Sequence, residues 1–318
     1  MAITTKVLVT GGAGFIGSNL ADELIRQGAR VSIIDNFGTG FRENLEEING
    51  DFDFIEGDIN DDVAVKKAIE GCEVVFHEAA LPSVPRSVDN PAETHHACVN
   101  GTLNLLIKAK DAGVKRIVYA ASSSAYGNQP TLPKVETMRP DPLSPYAVAK
   151  LTGEHYLRAF HSVYGLETFS LRYFNVFGPR QNPASMYSGV ISRFIDALMT
   201  GQQPVIFGDG EHSRDFTYIA NVVDANIKAA QATHGIGETM NVANGDRITL
   251  NALLDVLKTI TGKPDVAPDY KPPRSGDVRD SQADNRRAVE CLGYSELVGL
   301  EEGLRKTLDW WKSSRFAR

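Results

Sequence analysis

Two side chains four residues apart carry the first chemical signal. Tyr146 and Lys150 form Y-x-x-x-K, and on a helix that spacing places both on one face. An ammonium beside a phenol stabilises phenolate, lowering the tyrosine pKa toward neutrality and making it a usable general base. The pair alone is common. It gains weight from Ser122-Ser123-Ser124, which follows the apolar run Arg116–Ala121 (RIVYAA). A hydroxyl there can share the proton of a substrate hydroxyl with Tyr146. Serine runs after strands are usually turn formers, but ligands of doubly wound folds bind outside the carboxyl ends of strands, and that context reverses the reading.

The second signal is a glycine turn. Thr10-Gly11-Gly12-Ala13-Gly14-Phe15-Ile16-Gly17 lies between the strand-like run Lys6–Thr10 and a helical stretch from Gly14 to about Gln27. It satisfies both Gly12-x-Gly14-x-x-Gly17 and Gly11-x-x-Gly14-x-x-Gly17. Glycines there allow a tight turn and close approach of a pyrophosphate, while the helix start around Phe15 and Ile16 supplies backbone donors. Asp35 ends the next strand, where a carboxylate accepts from both ribose hydroxyls of an adenosine and repels a 2′-phosphate. The expected cofactor is therefore NAD, with Asn36 and Gly38 continuing its contacts; Arg42, close by, keeps NADP as the lesser alternative. Asp58 and Ile59 follow the third strand, where an adenine edge would be held. Ala79 and Ala80 follow the fourth and offer small side chains beside the cofactor. His77 reads as a packed strand-end histidine.

These residues need a scaffold. Short β-branched runs at Lys6–Thr10, Arg30–Asp35, Phe52–Glu56, Glu73–His77, Arg116–Ala121 and Glu167–Tyr173 alternate with helical stretches, including Pro91–Ala112 and Pro145 to about Tyr164. Near-continuous apolar strands separated by helices predict a doubly wound α/β fold, a parallel Rossmann sheet covered on both faces. After Phe174 the chain turns richer in Pro and Gly. Helical stretches recur at about Ser188–Met199, Asn221–Thr233, Leu250–Thr261 and Leu300–Lys312. The expected division is residues 1–174 for the cofactor and 175–318 for a smaller α/β substrate domain interleaved with the first.

Composition narrows the class. Of 318 residues, 33 are Lys or Arg and 40 are Asp or Glu, a net charge of −7, which disfavours a non-specific grip on nucleic acid. No run approaches the ~20 apolar residues of a membrane span. The start, MAITTKVLVTGGAGFIG, runs directly into a strand without a signal-peptide pattern. Cys72, Cys98 and Cys291 are sparse and lack metal-ligand spacing. The expectation is a cytoplasmic protein with reduced thiols and no metal.

Taken together, TGGAGFIG, Asp35, SSSAYG, SPYAVAK and LRYFNVFGPRQNP resemble the extended short-chain dehydrogenase/reductase family, specifically the UDP-hexose 4-epimerases, over almost the whole chain. With SVPRS, which contains Ser83, these motifs look closest to the epimerases of N-acetylated UDP-hexosamines. The resemblance implies that Tyr146 removes the sugar 4-hydroxyl proton, that Lys150 holds the nicotinamide ribose, and that Ser122 is the catalytic serine. Counting from the other end of its loop selects Ser124 instead. Ser83, Ser123 and Ser124 would line the sugar pocket. Asn100 and Phe174 would contact the cofactor, Asn175, Arg214 and Arg274 the diphosphate, Asp277 the uridine ribose, and Val190 and Phe207 the uridine. Ser281 falls where enzymes restricted to UDP-glucose and UDP-galactose carry a bulky tyrosine, which implies room for a 2-N-acetyl group.

Related 4,6-dehydratases carry an Asp-Glu pair just after the catalytic threonine, and related decarboxylases a glutamate in the same segment. Ser123 and Ser124 stand there, so a redox-neutral epimerase is the expected activity. A UDP-sugar dehydrogenase or reductase and a UDP-glucuronate 4-epimerase are the alternatives. The resemblance also implies a homodimer, formed through the Pro91–Ala112 and Tyr146 helices.

Overall fold

The structure is a computed structural model describing residues 3–182, 189–273 and 278–314. Seven strands form one parallel sheet: β1 (Lys6–Thr10), β2 (Arg30–Asp35), β3 (Phe52–Glu56), β4 (Val74–His77), β5 (Arg116–Ser122), β6 (Glu167–Tyr173) and β7 (Thr239–Val242). Their order is β7-β6-β5-β4-β1-β2-β3. β1 has β2 on one side and β4 on the other, with Thr10 level with Ile34 and with His77. The order reverses there, so crossovers leave in opposite directions and open a crevice beyond the carboxyl ends of β1 and β4. The fold is the expected doubly wound one. Its strands are buried on both faces, which explains the lack of alternation in KVLVT and RIVYAA.

Local chemistry sets where the helices start. Ser144 Oγ accepts from Ala147 N at 3.2 Å, and Pro145 takes the first turn of the helix Pro145–Tyr164. A serine cap followed by proline is a strong start signal, and it places Tyr146 in the first turn. Gly165, at φ 70°, ends the helix in the left-handed conformation that glycine tolerates. The expected helix over Pro91–Ala112 contains a widened turn at His96–Asn100 between two α-helical segments. That turn brings Cys98 Sγ within 3.4 Å of the Leu81 amide.

Beyond residue 174 the chain returns twice to the central sheet. β7 extends its edge beside β6, and the helix Ile219–Gln231 packs against β5 and β6. The remainder is built from two- and three-residue strands, among them Val176–Phe177 with Thr217–Tyr218 and Val205–Phe207 with Asp269–Lys271. One apolar core runs continuously from Val7 and Leu20 through Phe194 to Trp311. The halves are thus joined by shared packing. Among the described residues, no helix is long and apolar enough to cross a membrane.

Candidate active site

A cavity of about 400 Å³ runs from Gly11, Gly14 and Asp35 to Ser122, Tyr146, Lys150 and Tyr173. At its mouth Gly11 adopts φ +68°, and a Cβ there would lie 2.7 Å from Ala79 Cα. A Cβ on Gly17 would lie 2.3 Å from the Gly11 carbonyl oxygen. Only glycine fits either place. The turn stays flat against the start of the helix Phe15–Arg26, whose first amides have no acceptors inside the helix. This is a cradle for a diphosphate.

Asp35 closes β2 and orders the next turn. Its carboxylate accepts from Ala13 N at 3.0 Å and Phe37 N at 2.7 Å. Burial pushes its pKa up, against those two amides. Arg42 is engaged elsewhere, paired with Glu56 at 2.6 Å and stacked over the Phe37 ring. A cofactor 2′-phosphate would have to compete with that pair, so the donor set fits NAD.

A smaller recess beside Asp35, Asn36, Asp58, Ile59, Ala79 and Ala80 suits an adenine. Asn36 donates to Asp58 at 2.6 Å and accepts from Gly38 N at 2.9 Å. Burial raises the Asp58 pKa, but hydrogen bonds from Asn60 and Asn36 outweigh it, and the group stays below the usual carboxylate range. Asn100 is exposed at the widened turn, its amide 3.5 Å from His96 Nδ1. His77 is fully buried between Thr10 and Thr102, at 2.8 and 2.9 Å. Burial drives its pKa down to about 3 and keeps it neutral.

The far end holds the chemistry. Lys150 is buried and donates from Nζ to the Ala120 carbonyl at 2.7 Å. Burial lowers its pKa. Burial also pushes the Tyr146 pKa well up, and hydrogen bonding with Ser122 pulls the other way. The expectation that a nearby ammonium lowers the Tyr146 pKa is corrected: the Lys150 ammonium is turned to a carbonyl and desolvation dominates. Ser124 donates to Ser122 Oγ from both its amide (3.2 Å) and its hydroxyl (2.8 Å). Ser122 is the serine that lines the cavity beside Tyr146, whereas Ser123 and Ser124 form the short turn behind it. Ser83 also borders the cavity, but its hydroxyl caps the helix Val84–Asp89 by accepting from Arg86 N.

A second cavity, of about 220 Å³, adjoins the first and is lined by Asn175, Val190, Phe207, His212 and Arg214. The sequence motifs scatter these residues over some forty positions, and the fold gathers them. Asn175 borders both cavities. It holds φ +33°, a sparsely populated conformation for a non-glycine residue. Its Nδ2 donates to the Asp215 carbonyl at 2.9 Å and to Ser281 Oγ at 3.2 Å. Arg214 donates to the carbonyls of Ser213 and Arg279. Beside it, the Asp215 carboxylate accepts from the amides of Asn244, Gly245 and Ala283, pinning three loops. Arg274 and Asp277 lie outside the described residues.

Phe174 needs correcting. Its ring is fully buried against Tyr126, Ala243 and Ala283, while its neighbours Tyr173 and Asn175 border the cavity. Successive residues at a strand end point to opposite sides, so the Phe174 ring turns away from the cavity. Among the cavity residues that the sequence motifs do not single out are Glu78 and Tyr173, whose side chains meet at 3.0 Å. The signal for Glu78 was a charged residue directly after the apolar strand β4. Among the described residues, no group of three or more His, Cys, Asp or Glu is arranged to hold a metal ion.

A parallel sheet with a glycine cradle after β1, a carboxylate closing β2 and a Ser, Tyr and Lys group after β5 defines an NAD-binding enzyme of the extended short-chain dehydrogenase/reductase type. The chain belongs to the NAD dependent epimerase/dehydratase family, whose model matches residues 7–243. Within it the chain stands among the UDP-hexose 4-epimerases, which are isomerases. It is 40% identical over 312 residues to a UDP-glucose 4-epimerase of Mycolicibacterium smegmatis, covering 97% of this chain and 99% of that one. A crystal structure of UDP-glucose 4-epimerase from Thermotoga maritima with UDP-glucose superposes with a TM-score of 0.93 at 42% identity, covering 97% and 99% of the two chains. UDP-N-acetylglucosamine 4-epimerase from Methanobrevibacter ruminantium, in complex with UDP-N-acetylmuramic acid, gives 0.93 at 39% identity, covering 98% and 99%.

Proposed function

We propose that this NAD-dependent UDP-sugar 4-epimerase interconverts UDP-GlcNAc and UDP-GalNAc, with UDP-Glc and UDP-Gal as weaker substrates. The observation that carries the sugar choice is Ser281. Its small side chain sits 3.2 Å from Nδ2 of Asn175, a residue that borders both cavities, and a larger residue there would press toward the space an acetamido group needs.

In this reading the uridine diphosphate occupies the smaller cavity, with Val190 and Phe207 against the base and Asn175 and Arg214 on the phosphates. An arginine fork suits that anion. The sugar then reaches Ser122 and Tyr146. Bound NAD would supply the acceptor for the C4 hydride and its donor back to the opposite face of the 4-keto sugar. The chain's own residues manage the proton. Tyr146 removes it from the 4-hydroxyl, and Ser122, steadied by Ser124, keeps that hydroxyl in line. Lys150 reaches the nicotinamide ribose from the same helix face. Uptake of the proton by Tyr146 in the oxidative half-reaction and its return to the sugar oxygen in the reductive one leave the protein unchanged.

The same reading includes a homodimer. Leu143 and Val148 are exposed beside a shallow groove formed with Pro91 and His95. Burying those apolar side chains against a second copy favours association. Light scattering tests the dimer, and a monomer would contradict it. For the sugar, comparison of kcat/KM for the two substrate pairs is decisive: the acetylated pair is expected to be faster, and the reverse order would contradict the proposal.

A further inference from the structure

Glu78 is a half-buried carboxylic acid at the reactive end of the cofactor cavity, and none of the steps above uses it. It follows β4 at the switch point of the sheet and lines the same cavity as Ser122, Tyr146 and Lys150. Tyr173 donates to its Oε1 at 3.0 Å, and Asn226 in turn donates to the Tyr173 hydroxyl at 2.8 Å. The second oxygen, Oε2, is buried and has no hydrogen-bond partner in the protein. A carboxylate oxygen buried without a partner is expensive unless its charge acts on something nearby. Lys150 is close enough for the two charges to stabilise each other. However, the ammonium donates to Ala120 rather than to Glu78.

We propose that Glu78, held by Tyr173, sets the redox preference of the bound cofactor, its carboxylate favouring the oxidised, positively charged nicotinamide over the reduced, neutral one. This rests on the reading of the cavity end as the nicotinamide site. A negative charge fixed in a poorly hydrated pocket interacts strongly with a cation only a few ångströms away. Neutral NADH gains nothing from it. The consequence suits a redox-neutral enzyme: between turnovers the cofactor rests in the form that can accept hydride, and a 4-keto sugar lost by accident leaves a reduced cofactor held less tightly.

The preference must depend on pH. Burial raises the Glu78 pKa to about 7, so below that value the carboxyl is neutral and the discrimination fades. The groups facing it are Lys150 and Tyr146 on the Pro145–Tyr164 helix, Tyr119 on β5, Tyr173 at the end of β6 and His77 on its own strand. Burial raises the pKa of all three tyrosines and lowers that of His77 to about 3. Lys150, shifted down by burial, is the one group that needs a control.

Purified holoenzyme, equilibrated with NAD and NADH pools of known ratio, reports the bound ratio through NADH absorbance. Wild-type enzyme at pH 8.5 is expected to hold NAD in preference, and Glu78→Gln to hold about tenfold more NADH relative to NAD, the equivalent of one pK unit of differential interaction. Lowering the pH to 6 should move wild type toward the variant's ratio. Glu78→Gln should stay nearly flat, which separates Glu78 from Lys150. Tyr173→Phe, which frees the carboxyl without removing it, should give an intermediate ratio. A bound ratio that is the same in wild type and Glu78→Gln at pH 8.5, or a wild-type ratio insensitive to pH, overturns the proposal. If protein stripped of cofactor takes up neither dinucleotide, the cofactor reading of the cavity falls first, and the proposal with it.

Discussion

The Lys150 ammonium donates to the Ala120 carbonyl oxygen at 2.7 Å, tying the helix that bears Tyr146 to the end of β5, two residues before Ser122. The tether crosses from the strand carrying the serine to the helix carrying the phenol and lysine. Their relative placement is therefore set by the backbone of the sheet rather than by a loop. With the ammonium turned to that carbonyl, burial is the largest influence on the Tyr146 phenol and pushes its pKa up.

Tyr146→Phe removes the group that takes the 4-hydroxyl proton and should cost about 10²–10⁴-fold in kcat, the usual range for a positioned acid–base group. Ser122→Ala should lower kcat by a comparable order, and Ser124→Ala, which loses only a donor to Ser122, by clearly less. Steady-state assays, with circular dichroism confirming the fold, rank the three. A larger loss at Ser124 than at Ser122 would reassign the serine.

Gly17→Ala drives a methyl to within 2.3 Å of the Gly11 carbonyl oxygen. Backbone on both sides cannot yield, so the cradle must open. Dinucleotide affinity is expected to fall by at least about tenfold while the central sheet survives, since the turn lies outside β1. Calorimetric titration measures it, and unchanged affinity would remove the diphosphate from this turn.

Glu78 also predicts how stability changes with pH in NAD-free protein. Its folded pKa, about 7, lies above the 4.5 of an unburied glutamate, so between those values the native state holds more protons than the unfolded chain. Its contribution is fully present below about pH 4.5 and is lost as pH rises through about 7. The loss is on the order of 3 kcal/mol, at roughly 1.4 kcal/mol per unit. Glu78→Gln escapes it. Urea unfolding at pH 5 and pH 8 should show the variant gaining on wild type at the higher pH, and a shift of the opposite sign would refute the assignment.

Ser281→Tyr places a phenol where Asn175 now meets a small hydroxyl. Turnover of UDP-GlcNAc and UDP-GalNAc should fall about tenfold or more relative to UDP-Glc and UDP-Gal, because overfilling a packed pocket is costly. Assays with all four substrates give the ratio. Equal losses on both pairs would show that Ser281 does not gauge the substituent at C2.

Much of the cofactor half was legible because its signals are local. Strand bounds such as Arg30–Asp35 and Glu167–Tyr173, and the helix Pro145–Tyr164, follow from apolar runs, a serine cap, a proline and a terminal glycine. The glycine turn and Asp35 carry their own geometric reasons. What was harder to read depends on long-range placement. Phe174 was assigned by motif, but the side of the strand end it faces is decided by packing against Tyr126 and Ala243. The Tyr146 pKa depends on burial and on where the Lys150 ammonium turns, which spacing along a helix does not reveal. Glu78 and Tyr173 lie 95 positions apart and meet only because β4 and β6 both flank β5. The two- and three-residue strands after Phe174 are too short to leave a periodic pattern.

The central claim is a redox-neutral inversion at C4 of an acetylated UDP-sugar. NMR of the purified holoenzyme with UDP-GlcNAc and no added cofactor tests it most directly. The account predicts that UDP-GalNAc appears and approaches a fixed ratio with UDP-GlcNAc, while NADH does not accumulate and the C6 hydroxyl is retained. Net formation of NADH, loss of that hydroxyl, or turnover confined to UDP-Glc and UDP-Gal would contradict it.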